Sequence, residues 1–477
     1  MYFGVLMKKG EKLENLFIDS MAAEGKCVAR IDGLVVFLQG GAPGDTVQAI
    51  ITKSKKSFLE ARVTEVVKKS KDRATPFCPY FGTCGGCSWQ HINYETQLQY
   101  KEQQVTDNLE RIGGLMLQRI NPIVGSERIK GYRNKLDFTF THSQWLTWEE
   151  LQAGQPKGPG LGYHIPRMFD KVFDVKECHL QPEPSNAIRL ALKKKALELN
   201  IPFFDLRTQE GFLRTLTIRS SSTGEIMVIL QVTQNKPEWI DVLLGNLVQQ
   251  FPQLASINYV INNKRNDTFH DLEVINWKGN PYITEVMPKP DGSGTLHFRI
   301  GPKSFYQTNS AQAFHLYKIA WQMAGLQGHE VVYDLYTGTG TIANFVAANA
   351  KKVVGLEYVA AAIEDARSNS QINNINNTSF FAGDIKDLLD EAFLQAHGKP
   401  DVIITDPPRA GMHEDVCKMI LKANPKRIVY VSCNPATQAR DLKILSEKYY
   451  ITAIQPVDMF PHTMHVENVV ALEATTQ

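Results

Sequence analysis

The chain has 477 residues, 43% of them apolar, so it is long enough for several packed domains and too apolar for wholesale disorder. Its 52 basic and 50 acidic residues give a net charge of +2, so the overall charge identifies no partner. No apolar run is long enough to span a bilayer and the N-terminus lacks a signal-peptide pattern, so we expect a cytoplasmic protein with reduced cysteines and no membrane association.

Residues 1–70 predict a small β-barrel of the OB type. Short apolar stretches such as "KCVARIDG" and "DTVQAIITKS" alternate with glycine turns, a pattern typical of several short strands. This end of the chain is also basic: residues 1–75 contain 13 Lys and Arg against 9 Asp and Glu, a net charge of +4. A small basic barrel suits the binding of nucleic acid, and a solvated lysine-rich face would have the same composition.

Residues 71–300 predict a mixed region of helices and strands. Helices are expected near 92–112 and 185–199, and strands near 132–140, 213–219 and 226–232. The sequence contains no repeated unit here, so we expect an α+β domain that differs in architecture from the rest of the chain.

A cysteine-rich segment in this region is a candidate metal site. Cys78, Cys84 and Cys87 lie close together in "CPYFGTCGGC", and Cys178 in "KECHL" supplies a possible fourth thiolate. Four thiolates bind either a structural zinc ion or a [4Fe–4S] cluster. Three local cysteines and a remote one leave both metals open, because spacing alone does not decide between them.

Residues 301–477 predict a doubly wound parallel sheet of the Rossmann type. Four apolar strands, "EVVYDLY", "KVVGLEYV", "DVIITDPP" and "RIVYVSC", are separated by helical stretches. Sheets of this kind bind ligands at the carboxyl ends of their strands. The functional residues of this region are therefore expected at those ends.

The first two of these strands predict a nucleotide-type pocket. Gly338 and Gly340 form the turn after the first strand, and Glu357 ends the second strand 17 residues after Gly340. Glycines allow a ligand to approach the backbone, and an acid at this distance commonly binds ribose hydroxyls. There is no third glycine in dinucleotide spacing and no Walker lysine, so NAD and ATP are disfavoured and S-adenosylmethionine fits better.

The third strand ends at Asp406, which is followed by two prolines and Arg409. Prolines make this loop stiff. Methylases of adenine and cytosine amino groups also have an acid-Pro-Pro loop, but an aromatic residue follows it there and stacks on the base. Arg409 in that position argues against methylation of an amino nitrogen.

The fourth strand ends at Cys433, in "VYVSCNPATQAR". Carbon 5 of a pyrimidine is a poor nucleophile, and a thiolate that adds to carbon 6 makes it reactive toward a methyl donor. The reaction also needs a base that removes the proton from carbon 5. Cys433 and Glu467, the latter preceded by His462 and His465, are the candidates for these roles. Cys27 and Cys417 are instead expected to pack as small apolar side chains.

Two segments resemble the signatures of the RNA uracil-5-methyltransferase family. The first, "DPPRAG" followed by "IVYVSCNPAT", spans 406–437, and the second, "VDMFPHTMHVE", spans 457–467. The resemblance implies that Cys433 is the nucleophile and Glu467 the base. It also implies contacts to S-adenosylmethionine from Gln307 in "GPKSFYQTN", Tyr336, Glu357, Asp384 and Asp406, in addition to Gly338 and Gly340 of the glycine turn. Tyr336 stands where relatives often have phenylalanine. RNA cytosine-5 methylases carry a cysteine directly after the proline of the acid-Pro loop, and its absence from "DPPRAG" favours uracil.

The resemblance extends to the rest of the chain. The first 70 residues, notably "GKCVARIDGLVVFLQGGAPGD", resemble an RNA-binding TRAM domain. The ribosomal-RNA branch of the family has the same cysteine pattern and holds a [4Fe–4S] cluster, which implies such a cluster here and 23S rRNA as the substrate. The expected organisation is a TRAM barrel in 1–70, a cluster-bearing central domain in 71–300 and a methyltransferase domain in 301–477, with RNA as partner and no obligate protein partner. The alternatives are methylation of the tRNA T-loop uridine and an RNA-binding or assembly factor without catalysis.

Overall fold

A computed structural model describes residues 7–22, 25–117 and 119–475. The N-terminal strands form a closed five-stranded barrel in the order β1-β2-β3-β5-β4. The strands are β1 Lys12–Met21, β2 Cys27–Ile31, β3 Leu34–Gln39, β4 Thr46–Ser54 and β5 Phe58–Lys68. The barrel closes because β1 pairs with both β2 and β4, and its apolar side chains alternate inward along each strand. The predicted β-barrel is thus confirmed.

The barrel is anchored to the following segment by a buried carboxylate. Asp45 accepts hydrogen bonds from the backbone N–H groups of Ala42 and Ser70, at 2.6 and 2.8 Å. Arg73 donates to both oxygens of the same carboxylate, at 2.8 and 2.7 Å. Two-point hydrogen bonding between a guanidinium and a buried carboxylate fixes the orientation as well as the distance. Asp45 therefore ties the barrel to the segment that leads into the central region.

The central region contains a seven-stranded sheet in the order β12-β11-β10-β9-β6-β7-β8. Its strands are β6 Lys135–Thr141, β7 Gly160–His164, β8 Val172–Asp174, β9 Leu213–Ser220, β10 Ile226–Val232, β11 Leu254–Ile261 and β12 Ile275–Gly279. The helices of this region are α1 Tyr94–Arg111, α2 Trp148–Gln152, α3 Ser185–Glu198 and α4 Pro237–Gln250. Helices α3 and α4 share an apolar core with one face of the sheet. A hairpin of β13 Ile283–Pro288 and β14 Thr295–Ile300 leads to the C-terminal region.

The C-terminal sheet has seven strands in the order β17-β16-β15-β18-β19-β21-β20. Its strands are β15 Val331–Leu335, β16 Lys352–Glu357, β17 Thr378–Ala382, β18 Val402–Thr405, β19 Arg427–Ser432, β20 Tyr449–Val457 and β21 Glu467–Ala474. Strands β15 to β19 are parallel, and β21 is antiparallel to both β19 and β20. The predicted doubly wound sheet is confirmed, with the chain reversing direction in its last two strands.

Helices cover both faces of this sheet. They are α5 Ser310–Ala324, α6 Thr341–Val346, α7 Ala360–Ile372, α8 Ile385–Leu388, α9 Glu391–His397, α10 Glu414–Ala423 and α11 Pro435–Leu445. Helices α5, α6 and α7 share a core with one face, and α10 and α11 with the other. Helix α1 joins this second face, because Val105 and Leu109 are buried in the same core as Leu442. No helix in the described ranges combines the length and hydropathy needed to cross a membrane.

Candidate active site

The predicted functional residues of the C-terminal region meet at one edge of the sheet. Parallel strands β15 to β19 all end there, and antiparallel β21 begins there. Glu467 is the first residue of β21. Ser432 of β19 pairs with Asn468 of β21. Cys433 directly follows this pair and Glu467 directly precedes it, and the charge of Glu467 acts on the Cys433 thiol, so the two side chains are neighbours.

The position of Cys433 is set by an abrupt change from strand to helix. Strand β19 ends at Ser432, and α11 begins at Pro435. Pro435 lacks a backbone N–H and suits the first position of a helix, where that group has no helical partner. The Asn434 side chain caps the helix by accepting a hydrogen bond from the N–H of Ala436 at 3.2 Å. Cys433 is thus left in the short turn between the two elements, and its side chain is partly exposed.

Helix α11 also fixes the loop that follows Asp406. The backbone carbonyl of Arg409 accepts hydrogen bonds from the side chains of Asn434 and Thr437, at 3.0 and 3.2 Å. Arg440 donates to the carbonyl of Met412 at 2.9 Å. The loop after Asp406 is therefore held by direct hydrogen bonds to α11 and to the turn that contains Cys433.

A second, buried anchor of this loop is Asp441. Its carboxylate accepts hydrogen bonds from the Met412 N–H at 2.8 Å and the Tyr430 hydroxyl at 2.7 Å. Gly411 has φ +77°, and a Cβ atom at this position would lie 2.7 Å from both Arg440 and Asp441. A glycine is required here for both reasons.

Glu467 is a buried acid whose pKa is strongly raised. One of its carboxylate oxygens, Oε2, has no hydrogen-bond partner among the described residues. Burial and the negative charge of Asp406 raise the pKa of Glu467 to about 8, and the charge of Arg409 opposes them. Burial and the charge of Asp334 raise the pKa of Asp406 to about 7. These acids compete for ionisation, so their protonation states depend on each other.

Cys433 belongs to the same electrostatic group. Burial and the negative charges of Glu467 and Asp406 raise the pKa of its thiol to about 11, and Arg409 acts in the opposite direction. A thiolate at this position is therefore favoured when the neighbouring carboxyls hold protons or when a cation enters the cleft. The structure thus brings the two candidate catalytic residues, Cys433 and Glu467, close to each other and to the charged side chains of Asp406 and Arg409.

The turn after β15 is shaped by several unusual backbone conformations. Asp334 accepts hydrogen bonds from the Thr337 hydroxyl and from the Ala343 N–H, and burial raises its pKa to about 7. Tyr336 has φ +64° although it is not glycine. Gly340 has φ +75°, and a Cβ atom there would lie 2.8 Å from the Ala366 side chain, so only glycine allows α7 to pack this closely.

Glu357 and Gly338 are in direct contact. The N–H of Gly338 donates to Glu357 Oε2 at 3.1 Å, and the N–H of Val359 donates to Oε1 at 2.9 Å. The adjacent Tyr358 is 73% exposed, although large aromatic side chains are usually buried. The strand-end acid and the glycine turn therefore border a surface with an exposed aromatic ring beside it, a feature that sequence reasoning missed.

Gln307 and Asp384 lie in contrasting environments. Gln307 is buried just before α5 and lies close to the Tyr317 hydroxyl. Tyr317 is a buried neighbour of Asp406, Asp334 and Glu467, whose charges help to raise its pKa. Asp384 instead lies at the surface after β17, where it caps α8 and pairs with Lys386 at 3.2 Å. The sequence carried no signal for Tyr317, because a tyrosine on an amphipathic helix is typical of an ordinary core position.

The two histidines before Glu467 are neutral groups. Burial lowers the pKa of His462 to about 4, and burial together with Arg409 lowers that of His465 to about 4. His465 Nδ1 lies 2.6 Å from Arg409 Nη2, so it helps to hold the guanidinium near the site. His462 contacts the central region and does not face Arg409 in this way.

The four predicted metal ligands converge on one cavity. Cys78, Cys84, Cys87 and Cys178 all line it, together with apolar side chains, and Tyr163 donates a hydrogen bond to Cys178 Sγ at 3.5 Å. Within residues 7–22, 25–117 and 119–475, no three His, Cys, Asp or Glu side chains are arranged to hold a metal ion. Cys27 and Cys417 are 1% and 0% exposed, as predicted for core residues.

Comparison with known proteins gives the family. The model of the tRNA (uracil-5-)-methyltransferase family matches residues 277–475, and that of the TRAM domain matches residues 10–64. A Bacteroides thetaiotaomicron protein named as an uncharacterized RNA methyltransferase is 54% identical over 95% of this chain and 100% of its own length. The chain belongs to the RNA uracil-5-methyltransferase family. Members of this family are enzymes that depend on S-adenosylmethionine, so the predicted enzyme class is confirmed.

Two further relatives extend the match along the whole chain. A Porphyromonas gingivalis protein, also named as an uncharacterized RNA methyltransferase, is 53% identical over 96% of this chain and 100% of its own length. The solved structure of Pyrococcus abyssi tRNA (uracil-54, C5)-methyltransferase in complex with S-adenosyl-L-homocysteine has a TM-score of 0.72 and 29% sequence identity. It covers 96% of this chain and 99% of the Pyrococcus chain. The family relationship therefore includes the barrel and the central region as well as the methyltransferase domain.

Proposed function

We propose that the protein transfers a methyl group from S-adenosylmethionine to carbon 5 of a uridine in RNA, with Cys433 as nucleophile and Glu467 as base. The observation that carries this proposal is that the Cys433 thiol, just after β19, lies near the buried carboxylate of Glu467 at the start of the paired strand β21, and that the pKa of Glu467 is raised to about 8. A base that must take a proton from carbon near neutral pH works best with a pKa in this range.

In the proposed reaction Cys433 first loses its proton to water. Its sulfur then forms a bond to carbon 6 of the uracil, and the electron pair of the C5–C6 double bond moves toward the oxygen on carbon 4. S-adenosylmethionine, when bound, supplies the methyl group to carbon 5, and the electron pair of the broken bond stays on its sulfur. Glu467 then takes the proton from carbon 5, the C5–C6 double bond re-forms, and the bond from Cys433 to carbon 6 breaks.

The charges around the site suit this sequence of events. Two buried acids with raised pKa values, Asp334 and Asp406, favour a cationic ligand in the cleft, because a positive charge relieves the cost of their ionisation. A cation there also favours the thiolate of Cys433. The proposed donor contacts are Gln307, Tyr336, Gly338, Gly340, Glu357, Asp384 and Asp406.

The proposed substrate is 23S rRNA. The cysteine pattern supports this choice, because it resembles that of the ribosomal-RNA branch of the family. A tRNA uridine is the second candidate, and the Pyrococcus enzyme that acts on tRNA uracil-54 favours it through its similarity over 96% of this chain. In either case the uridine must leave its stack to reach Cys433, at a cost of a few kcal/mol that is smaller in a loop. We assign RNA binding to the TRAM barrel in 1–70 and donor binding and catalysis to 301–477.

We also propose a [4Fe–4S] cluster in the central domain, within 71–300. The convergence of Cys78, Cys84, Cys87 and Cys178 on one apolar cavity supports it, because four thiolates are the usual ligands of such a cluster. Zinc is the alternative metal for a four-cysteine site.

The test is methylation of unmodified RNA. The purified protein would be incubated with labelled S-adenosylmethionine and transcripts of 23S rRNA or tRNA, and the digested nucleosides would be separated. We expect labelled 5-methyluridine from the 23S transcript and none with the Cys433→Ala variant. Label from tRNA alone would reassign the substrate, and label on another base or the same yield from Cys433→Ala would contradict the proposed reaction.

A further inference from the structure

The chain segment that leads into Glu467 is buried and held by other parts of the molecule. Residues 458–466 connect β20 to β21, and Asp458, Met459 and Val466 are all at most 1% exposed. No strand of the C-terminal sheet includes this segment. The position of Glu467 at its end therefore depends on the contacts that fix the segment.

Helix α1 supplies the first set of contacts. Lys101 Nζ lies 2.5 Å from Asp458 Oδ1 and donates to the carbonyl of Phe460 at 3.0 Å. The Tyr94 hydroxyl donates to the other oxygen of Asp458 at 2.8 Å. Lys101 and Asp458 both have fully buried side chains, and a buried ion pair with extra hydrogen bonds specifies one geometry. Helix α1 thereby fixes the start of the segment.

The segment containing Cys78 and Cys87 supplies the second set, through His462. The carbonyl of His462 accepts hydrogen bonds from the N–H groups of Ser88 and Trp89, at 2.8 and 3.0 Å, and Ser88 directly follows Cys87. The ring of His462 packs edge-on against Phe77, which directly precedes Cys78, with centroids 5.0 Å apart. His462 also has φ +63°, a conformation that costs energy for a residue other than glycine and that these contacts maintain.

Gln97 of α1 joins the two sets. Its Oε1 accepts a hydrogen bond from the N–H of His462 at 2.9 Å. Its Nε2 lies 3.0 Å from the carbonyl of Trp89, 2.8 Å from that of Ile92 and 3.2 Å from His462 Nδ1. The side chain of Gln97 is completely buried, so these partners account for its polar groups. The side-chain amide of Gln97 thus connects the cysteine-rich loop, residues 77–92, to the segment before the proposed base Glu467.

We infer that Gln97 and His462 are positioning residues that hold Glu467 against Cys433 and couple that placement to the cysteine-rich loop. This inference rests on the proposed function. A base that is displaced by about 1 Å loses on the order of 100-fold in rate, so a contact far from the reacting atoms has a large effect on one step. The affected step is removal of the proton from carbon 5, because attack by Cys433 and methyl transfer do not use Glu467.

The test separates that step from the earlier ones. Wild type, Gln97→Met and Glu467→Gln would be mixed with S-adenosylmethionine and the RNA transcript that the wild type methylates, and the covalent protein–RNA adduct would be followed on denaturing gels. Gln97→Met should form the adduct at the wild-type rate and release it at least ten-fold more slowly, so that methylated adduct accumulates as in Glu467→Gln. The matched control is Gln103→Met on the same helix, since Gln103 is exposed and its side chain donates a hydrogen bond to Asp107, away from the segment before Glu467. It should behave as wild type.

Two outcomes would overturn the inference. One is release at the wild-type rate, and the other is an equal loss in adduct formation and release, which indicates a general structural defect. If Gln97→Met does not fold, His462→Asn provides the test, because asparagine tolerates a positive φ while the ring contacts are lost. His462→Asn should show the same slow release, and wild-type release would refute the inference. A wild type that forms no adduct with 5-fluorouridine RNA would instead refute the proposed function.

Discussion

Replacement of Glu467 by glutamine should make the stability of the protein less sensitive to pH. Glutamine has nearly the same shape as protonated glutamate and does not ionise. The pKa of Glu467 in the folded protein is raised from 4.5 to about 8, by burial first and then by Asp406. The folded state therefore binds the proton more tightly than the unfolded state, and its stability falls as pH rises between these two values.

The size of the effect follows from the pKa shift. A shift from 4.5 to about 8 corresponds to at most about 5 kcal/mol when Glu467 is fully ionised, and to a slope of at most about 1.4 kcal/mol per pH unit. Part of the shift comes from Asp406, which has a pKa of about 7 and titrates in the same range, so the two acids are not ionised independently. We therefore expect Glu467→Gln to raise the free energy of unfolding by a smaller amount, about 2–3 kcal/mol. Glu467→Gln should match the wild type near pH 4.5 and exceed it increasingly up to about pH 8.

The assay is urea unfolding of both proteins at a series of pH values between 4.5 and 9. Glu473→Gln is a matched control at the other end of β21. The pKa of Glu473 is lowered by its hydrogen bond with Arg427, so its ionised form stabilises the fold above its pKa and the control should lose stability there. Equal pH dependence of Glu467→Gln and wild type would show that Glu467 is not held in the protonated form, and the argument for a tuned base would fail.

The other predictions concern the neighbours of this acid and the cysteine-rich cavity. Asp406→Asn removes a charge that raises the pKa of Glu467, so the pH midpoint of adduct release should move to lower pH in single-turnover measurements. Asp441→Ala leaves the Tyr430 hydroxyl and the Met412 N–H without their acceptor and should cost about 3 kcal/mol of unfolding free energy in urea titrations. Cys87→Ser should abolish the iron and acid-labile sulfide of anaerobically purified protein, whereas Cys417→Ala should retain them; equal metal content in both variants would contradict the proposed cluster.

The strands and their functional ends follow directly from the sequence. Runs such as "DVIITDPP" and "RIVYVSC" are apolar, rich in β-branched residues and ended by or followed closely by proline, so both the strand and the point where it ends are local properties. Because parallel strands share a carboxyl edge, Asp406 and Cys433 were expected at one site, and both lie there. The barrel was also predictable from local sequence, because its short strands are separated by glycine turns.

The relation between Cys433 and Glu467 depends on contacts that are not local. Strand β21 inserts between β19 and β20, and this order brings the start of β21, at Glu467, beside the end of β19, which Cys433 directly follows. The raised pKa of Glu467 arises from burial and from Asp406, which lies 61 positions earlier in the chain. The docking of α1 on the C-terminal sheet and the exposed position of Asp384 likewise depend on tertiary packing, which no single segment encodes.

The central claim is that sulfur at position 433 becomes bonded to the uridine during the reaction. The direct measurement is mass spectrometry of peptides after incubation with S-adenosylmethionine and RNA containing 5-fluorouridine, because fluorine on carbon 5 cannot be removed as a proton and the adduct persists. We predict one modified peptide, spanning residue 433 and carrying a methylated fluorouridine, which is absent from Cys433→Ala. An adduct on another residue, or efficient formation of 5-methyluridine without any adduct, would contradict the account.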